Sequence, residues 1–186
     1  MTEIQLDVTS LMSPNVMHSL TAGCIVKLSG VIYTARDAAH KRLCDTLAQK
    51  KVLPIDLCGA LIFYAGPCPA KDDRIIGSIA ATTSARMDVF QEQLFRAGVL
   101  GSIGKGERSA ESAALHKKYS RIYFLSTGGA AALNTKYITK CEVVAYEDLG
   151  TESIKKLTIR EMPLIVGIDC AGRDFCKEQR KIYRRG

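Results

Sequence analysis

Strand-like runs alternate with helix-like stretches along this chain, and that alternation limits it to a layered α/β fold. Ile4, Leu6 and Val8 alternate with polar residues, and CIVKLSGVIYTA (24–35) is rich in β-branched and apolar residues. From Asp37 to Lys50 the period turns helical, with Ala39, Leu43 and Leu47 four apart. Thr34 and Asp37 have the spacing of a capping box ahead of that helix. LIFYAG (61–66) is a short apolar run ended by Gly-Pro, which predicts a buried strand and a turn. RIIGSIAATTS (74–84) predicts another strand, with Gly77 as a bulge or a close backbone approach. Met87, Phe90, Leu94 and Phe95 return to helical spacing, and Gly98 is placed to cap that helix. A helix near 108–119 follows, then a strand in RIYFLSTGGAAAL that runs into a small-residue helix. CEVVAYED predicts a strand, TESIKKL a short helix and PLIVGID the last strand. The first strands precede any helix and the spacings are uneven, so a mixed sheet is expected rather than a regular doubly wound one. No linker or repeat divides the 186 residues, which are expected to form one domain, 1–186.

Composition removes several classes of function. With 47% hydrophobic and 24% charged residues, the chain is not of the disordered kind. No apolar run approaches the roughly 18–20 residues that span a bilayer, and MTEIQLDVTS lacks a basic secretory n-region, so a cytoplasmic protein without a membrane partner is expected. Cys24, Cys44, Cys58, Cys68, Cys141, Cys170 and Cys176 are odd in number and contain no C-x-x-C pair, so this chain is expected to hold no metal. The net charge of +7 suits nucleic acid, anionic small molecules or an acidic partner. Trp is absent, aromatics are few and no Arg/aromatic interleaving forms a stacking platform, so nucleic acid is not expected. The basic tail 177–186 reads as a solvated segment.

Three segments share one design, in which a strand enters a loop or helix start that carries a cation beside small or hydroxyl residues. They are Tyr33-Thr34-Ala35-Arg36-Asp37, Ala81-Thr82-Thr83-Ser84-Ala85-Arg86-Met87-Asp88 and Gly104-Lys105-Gly106. A first helical turn leaves backbone N–H groups unpaired, so Thr82, Thr83, Ser84 and Arg86 at such a turn could receive a carboxylate or phosphate. An ordinary N-cap with Arg86 on the solvated face accounts for the same residues. Gly104 and Gly106 let the backbone approach an anion while the Lys105 ammonium reaches over it. A plain turn explains that segment equally well. Gly106 also stands where a P-loop needs Ser or Thr. Arg36 at a helix start opposes the dipole and needs compensation, which Asp37 could supply. Ser126-Thr127-Gly128-Gly129 is a fourth candidate helix entry, whose glycines could admit a ligand to the backbone, although close packing of a small-residue helix explains them equally well. His18, His40 and His116 are expected to be structural, with His18 in a loop and the others in helices.

Six ordered blocks then carry a resemblance. LSGVIYTARDAAHKRL (28–43), LPIDLCGALIFYAGPCPAK (53–71), TTSARMD (82–88), IGKGERS (103–109), YFLSTGGAAAL (123–133) and VVAYEDLGTESIKKLTI (143–159) resemble the beta subunits of the class I fumarate hydratase and L(+)-tartrate dehydratase family. The resemblance implies a three-layer β/β/α swivelling domain with a mixed sheet. It implies an alpha subunit that holds a [4Fe-4S] cluster, so that the active enzyme is a hetero-oligomer. Carried over position by position, it makes Arg36, Arg86 and Lys105 binders of a small dicarboxylate and Thr82 the base that removes the C3 proton of malate. Asp37, Thr83, Gly104 and Gly106 are supporting positions. Ala80-Ala81 departs from the Gly-Pro that the family usually places before TTS, which bears on the loop that sets Thr82. The expected function is hydration of fumarate to L-malate. Tartrate dehydration, and a non-catalytic anion-binding or assembly module, are the alternatives.

Overall fold

The computed structural model describes residues 3–71 and 73–184. Among these, seven strands form one mixed sheet: β1 (Ile4–Asp7), β2 (Ile25–Thr34), β3 (Leu61–Phe63), β4 (Gly101–Gly104), β5 (Ile122–Leu125), β6 (Ile138–Ala145) and β7 (Ile154–Ile168). Six α-helices accompany them: α1 (Pro14–Ser19), α2 (Asp37–Ala48), α3 (Asp88–Arg96), α4 (Ala110–Tyr119), α5 (Ala131–Asn134) and α6 (Phe175–Tyr183). The order is β1-β2-β3-β4-β5-β7-β6, and β2 also pairs with β7. Strands β1 to β5 run parallel to their neighbours, whereas β7 is antiparallel to β2, β5 and β6. Because β7 is long enough to serve both β2 and β5, the pairing β2-β3-β4-β5-β7 returns to β2 as a closed ring.

Two apolar clusters result. Leu61, Phe63, Val26, Leu28, Ile32, Ile103, Phe124, Leu164 and Val166 form the first, on the side that the curled sheet covers. Ile62 and Tyr64 point the other way, where they meet Ala39 and Leu43 of α2, Leu94 and Phe95 of α3, and Met87. The period-2 alternation of β3 thus distributes its residues between the two cores. On α2 the buried positions are Ala39, His40, Leu43 and Cys44, the narrow stripe expected of a helix lying on a sheet. The helix α3 ends in a Schellman arrangement: Gly98 N–H donates to Phe95 O and Val99 N–H to Leu94 O, both at 3.1 Å, with Gly98 at φ +103°.

Several sequence expectations need correction. No capping box forms at α2, because the Thr34 hydroxyl donates to Ser153 O (3.3 Å) and accepts from Lys155 N–H (3.0 Å), tying β2 to β7. Residues 74–83 contain no named strand; only bridges from Ala81 to Ala65 and from Thr83 to Lys105 occur. Their backbone groups are satisfied by neighbouring segments instead, as when Ile79 N–H donates to Ala131 O of α5 and Asn134 Nδ2 of the same helix donates to Ile79 O. Gly77 does mark a close approach, since a Cβ there would lie 2.4 Å from Cys68 O. TESIKKL is a 3-10 turn (Glu147–Glu152) followed by the start of β7, not a helix. Ile154 and Leu157 are buried three apart, which imitates helical spacing, but they fill different cores on opposite faces of β7, as an odd spacing on a strand requires. Pro163 lies within β7 where neither β6, which pairs up to Ile159, nor β5, which begins at Ile165, needs its missing N–H. His18 belongs to α1 rather than to a loop. The basic tail is helical through Tyr183 and buries no residue; its last two residues lie outside the described part.

Candidate functional site

Four parallel strands deliver the site. Arg36 follows β2, Gly66 follows β3, Lys105 follows β4 and Ser126 follows β5, so all four lie beyond the carboxyl ends of adjacent parallel strands. Parallel strands in α/β folds carry their ligand sites at that edge, because helix starts and loops converge there. A cup of ≈ 310 Å³ opens at this edge, lined by Arg36, Ala80, Ala81, Thr82, Thr83 and Lys105 among others.

Thr82 is fixed by its backbone: its N–H donates to Tyr64 O at 2.7 Å, and the neighbouring Ala81 bridges Ala65. This placement uses main-chain pairing that Ala80-Ala81 supports without Gly-Pro. The Thr82 hydroxyl oxygen accepts a 2.7 Å hydrogen bond from Arg86 Nη2. The same nitrogen lies 3.2 Å from Asp37 Oδ2. Asp37 therefore faces Arg86 more closely than Arg36, whose Nη2 is 3.9 Å away. The compensation of Arg36 comes first from Glu152, 3.6 Å from its guanidinium. Glu152 also accepts the Ala38 N–H at 2.9 Å, at the start of α2. Sequence reasoning missed Glu152, which lies in the turn taken for a helix. The Arg36 Nε is buried without a hydrogen-bond partner. Among the described residues, Lys105 enters no ion pair, so its ammonium is available to a ligand.

The Thr82–Met87 segment differs from the expected receptor. Ser84–Met87 is a 3-10 turn before α3, and the Ser84 N–H is already taken by Lys105 O at 3.0 Å. The cup's polarity thus comes from side chains rather than from that amide. Gly104 also has a different role from the one expected: a Cβ there would lie 1.9 Å from Ser84 Oγ, so the glycine makes room for a serine and not for a ligand. Gly106 is exposed at φ +78°, as a turn requires. Thr83 is exposed and pairs with Lys105. Ser126 is buried and its N–H donates to Gly104 O (2.8 Å), while Gly128 and Gly129 face open space.

Behind the cup lies a buried polar cluster centred on Arg108 and Asp88, a pair that sequence reasoning passed over although both fall inside the quoted blocks. The Arg108 side chain is fully buried, paired with Asp88, donating to Gln91 Oε1 (3.0 Å) and placed 5.5 and 5.0 Å from the ring centres of Tyr64 and Tyr123. Asp88 also accepts the Ser109 N–H at 3.0 Å. His116 donates from Nδ1 to Ser112 O (2.8 Å), and burial pushes its pKa down to about 3. His40 donates likewise to Arg36 O (2.8 Å), and burial lowers its pKa to about 4. Both imidazoles are neutral and structural. Among the described residues, no group of three His, Cys, Asp or Glu is disposed to hold a metal ion, and no helix is long and apolar enough to cross a membrane.

Fold and site together define an α/β domain that gathers two arginines, a lysine and a threonine hydroxyl at one end of a parallel sheet. The family described as Fumarase C-terminus matches residues 1–179, and the chain belongs to it. It is 34% identical over 176 residues to a protein of Methanocaldococcus jannaschii provisionally named L(+)-tartrate dehydratase subunit beta, covering 91% of this chain and 90% of that one. It is 31% identical to the L(+)-tartrate dehydratase subunit beta of Escherichia coli K12, covering 90% and 84%. It is 34% identical over 155 residues to the aerobic class I fumarate hydratase of Salmonella typhimurium, covering 82% of this chain but 27% of that protein. The chain thus spans most of the tartrate dehydratase subunits and less than a third of the fumarate hydratase.

Proposed function

We propose that this chain is the beta subunit of a two-subunit class I hydro-lyase acting on a small dicarboxylate, with hydration of fumarate to L-malate as its reaction. The supporting observation is the meeting of Arg36, Lys105 and Thr82 in one cup, with Arg86 bonded to the Thr82 hydroxyl. In this reading Arg36, Arg86 and Lys105 hold the two carboxylates, and bidentate arginine contacts fix their orientation. In the dehydration direction Thr82 Oγ, as its alkoxide, would take the C3 proton of malate, while the C2 hydroxyl takes a proton from the partner's acid and departs as water, leaving fumarate. An alkoxide is costly at neutral pH, and the Arg86 guanidinium is placed to offset that cost. Asp37 and Glu152 keep the arginines aimed at the cup.

The Arg86 side chain is half exposed, so water screens its charge in the isolated chain. A covering partner would strengthen every interaction in the cup by excluding that water. The partner in this reading is an alpha subunit that carries the [4Fe-4S] cluster and the acid. This chain's cysteines are all free and form no cluster-binding group among the described residues, so its own part is binding, orientation and proton removal. The ring of strands and the helix layer on its outside suit the three-layer β/β/α swivelling architecture of this reading.

L(+)-tartrate dehydration is the second reading, and the length match favours it: the relatives that this chain nearly spans bear that name. The test is an anaerobic assay of malate and L-tartrate dehydration, with the chain alone and with its iron–sulphur partner. Malate turnover with both chains only is the expected result; preference for tartrate moves the reading to the second substrate. No turnover of either, with the cluster loaded and the complex formed, overturns both and leaves an anion-binding or assembly module.

A further inference from the structure

The Tyr123 ring in β5 is buried in a slot that two glycines keep open: a Cβ on Gly104 would lie 3.2 Å from its Cε2, and one on Gly167 3.0 Å from its Cδ1. The Arg108 guanidinium lies 5.0 Å from the ring centre on a further side. Held this way, the phenol has one place to put its hydroxyl. That hydroxyl donates to Ser84 Oγ at 2.9 Å and reaches Gly106 O at 3.1 Å, sharing one proton between two acceptors. The Ser84 Oγ in turn accepts the Lys105 N–H at 3.1 Å, and it occupies the space left by the absent Gly104 Cβ. The phenol thus grips both ends of the Lys105 turn: its amide through Ser84, and the following carbonyl directly. No other side chain among the described residues hydrogen-bonds both the Thr82–Met87 segment and the Gly104–Gly106 segment.

We infer that Tyr123 is a positioning residue, a buried clamp that fixes the Lys105 ammonium over the cup relative to Thr82. The inference rests on the proposed dicarboxylate site. The clamp itself is a property of the bare chain and can be measured apart from activity. Burial pushes the phenol's pKa up, so the hydroxyl remains a donor throughout the working pH range. Tyr123→Phe removes one oxygen and leaves the ring, its glycine slot and the Arg108 contact in place. Because Lys105 serves binding, its displacement should act on KM more than on kcat.

The experiment compares wild type, Tyr123→Phe, Ser84→Ala and the double variant. Amide hydrogen exchange is followed in the full chain, and diacid kinetics in the complex with the cluster-bearing partner. Expected for Tyr123→Phe is about tenfold faster exchange at the Lys105 amide and about tenfold higher KM, the scale of one buried hydrogen bond, with kcat within about threefold of wild type. The double variant should be within about twofold of Ser84→Ala alone, since both act through one chain of bonds. Unchanged exchange at Lys105 overturns the clamp. Faster exchange with an unchanged KM, a loss confined to kcat, or fully additive effects in the double variant overturn its positioning role. Should the wild-type complex turn over neither malate nor tartrate, the dicarboxylate reading falls and exchange alone decides the clamp. Faster Lys105 exchange would then support it, and equal protection would overturn it.

Discussion

Thr82 and Arg86 show how two residues four apart become one unit. A threonine hydroxyl alone is a poor base, and an exposed arginine alone is a solvated charge, but a 2.7 Å contact couples them. Thr82→Ala is therefore expected to lower kcat by about 10²–10⁴ with little change in KM, the scale of losing a positioned base. Arg86→Ala should raise KM as well, because the guanidinium also serves binding. Steady-state kinetics of the reconstituted complex separate the two patterns. A Thr82→Ala variant with full kcat would remove threonine from the chemistry. The buried Arg108 makes a different prediction, on stability. Replacing it with Met strands the Asp88 carboxylate and Gln91, so unfolding should become easier by about 3–5 kcal/mol, read from urea midpoints. A loss below about 1 kcal/mol would mean that Asp88 is compensated from elsewhere.

At the scale of elements, the fit between β4 and the 3-10 turn before α3 depends on the absence of one methyl group. Gly104→Ala pushes against Ser84 Oγ and should cost about 1–3 kcal/mol by overpacking. Adding Ser84→Gly opens the space again and should recover part of that loss in the same denaturation assay. If the second substitution recovers nothing, the contact with Ser84 is not what keeps alanine out. Much at this scale was legible beforehand. The strand CIVKLSGVIYTA, the helix from Asp37, LIFYAG and the Gly98 cap all follow local rules, and local rules are what periodicity and turn chemistry express. The failures have a common cause. RIIGSIAATTS has the composition of a strand but hydrogen-bonds to loops and to α5, and TESIKKL has helical spacing because Ile154 and Leu157 fill cores on opposite faces of β7. In both cases partners remote in sequence choose the conformation, and the segment's own pattern does not contain them.

Across the whole molecule, two buried neutral histidines set the response to acid. Unfolded histidine titrates near 6.5, whereas His40 and His116 in the native chain hold out to about 4 and about 3. Below about pH 6.5 the unfolded chain thus binds protons that the native chain refuses. Stability is fully present above that value and falls as the pH drops, by about 2.7 kcal/mol per unit while both groups differ. Glu92, held down to about 2 chiefly by Lys118, then Tyr119 and Arg96, works in the same direction only below its ordinary range near 4.5. Urea midpoints between pH 7 and 4.5 therefore isolate the histidines. A flat profile there would contradict their buried, neutral state, and His116→Gln should shallow the slope by about half.

The sequence by itself determined the α/β class, the mixed sheet, the family resemblance and the three cationic segments, because each is written in local period or in ordered short motifs. Tertiary structure alone decided that Arg36, Thr82 and Lys105 share a cup, since residues up to seventy apart meet only when parallel strands end at one edge. It also decided that Glu152 outranks Asp37 as the partner of Arg36, that Gly104 yields to Ser84, and that Tyr123 reaches both loops. Those outcomes depend on distances of a few tenths of an ångström between segments that no sequence spacing relates.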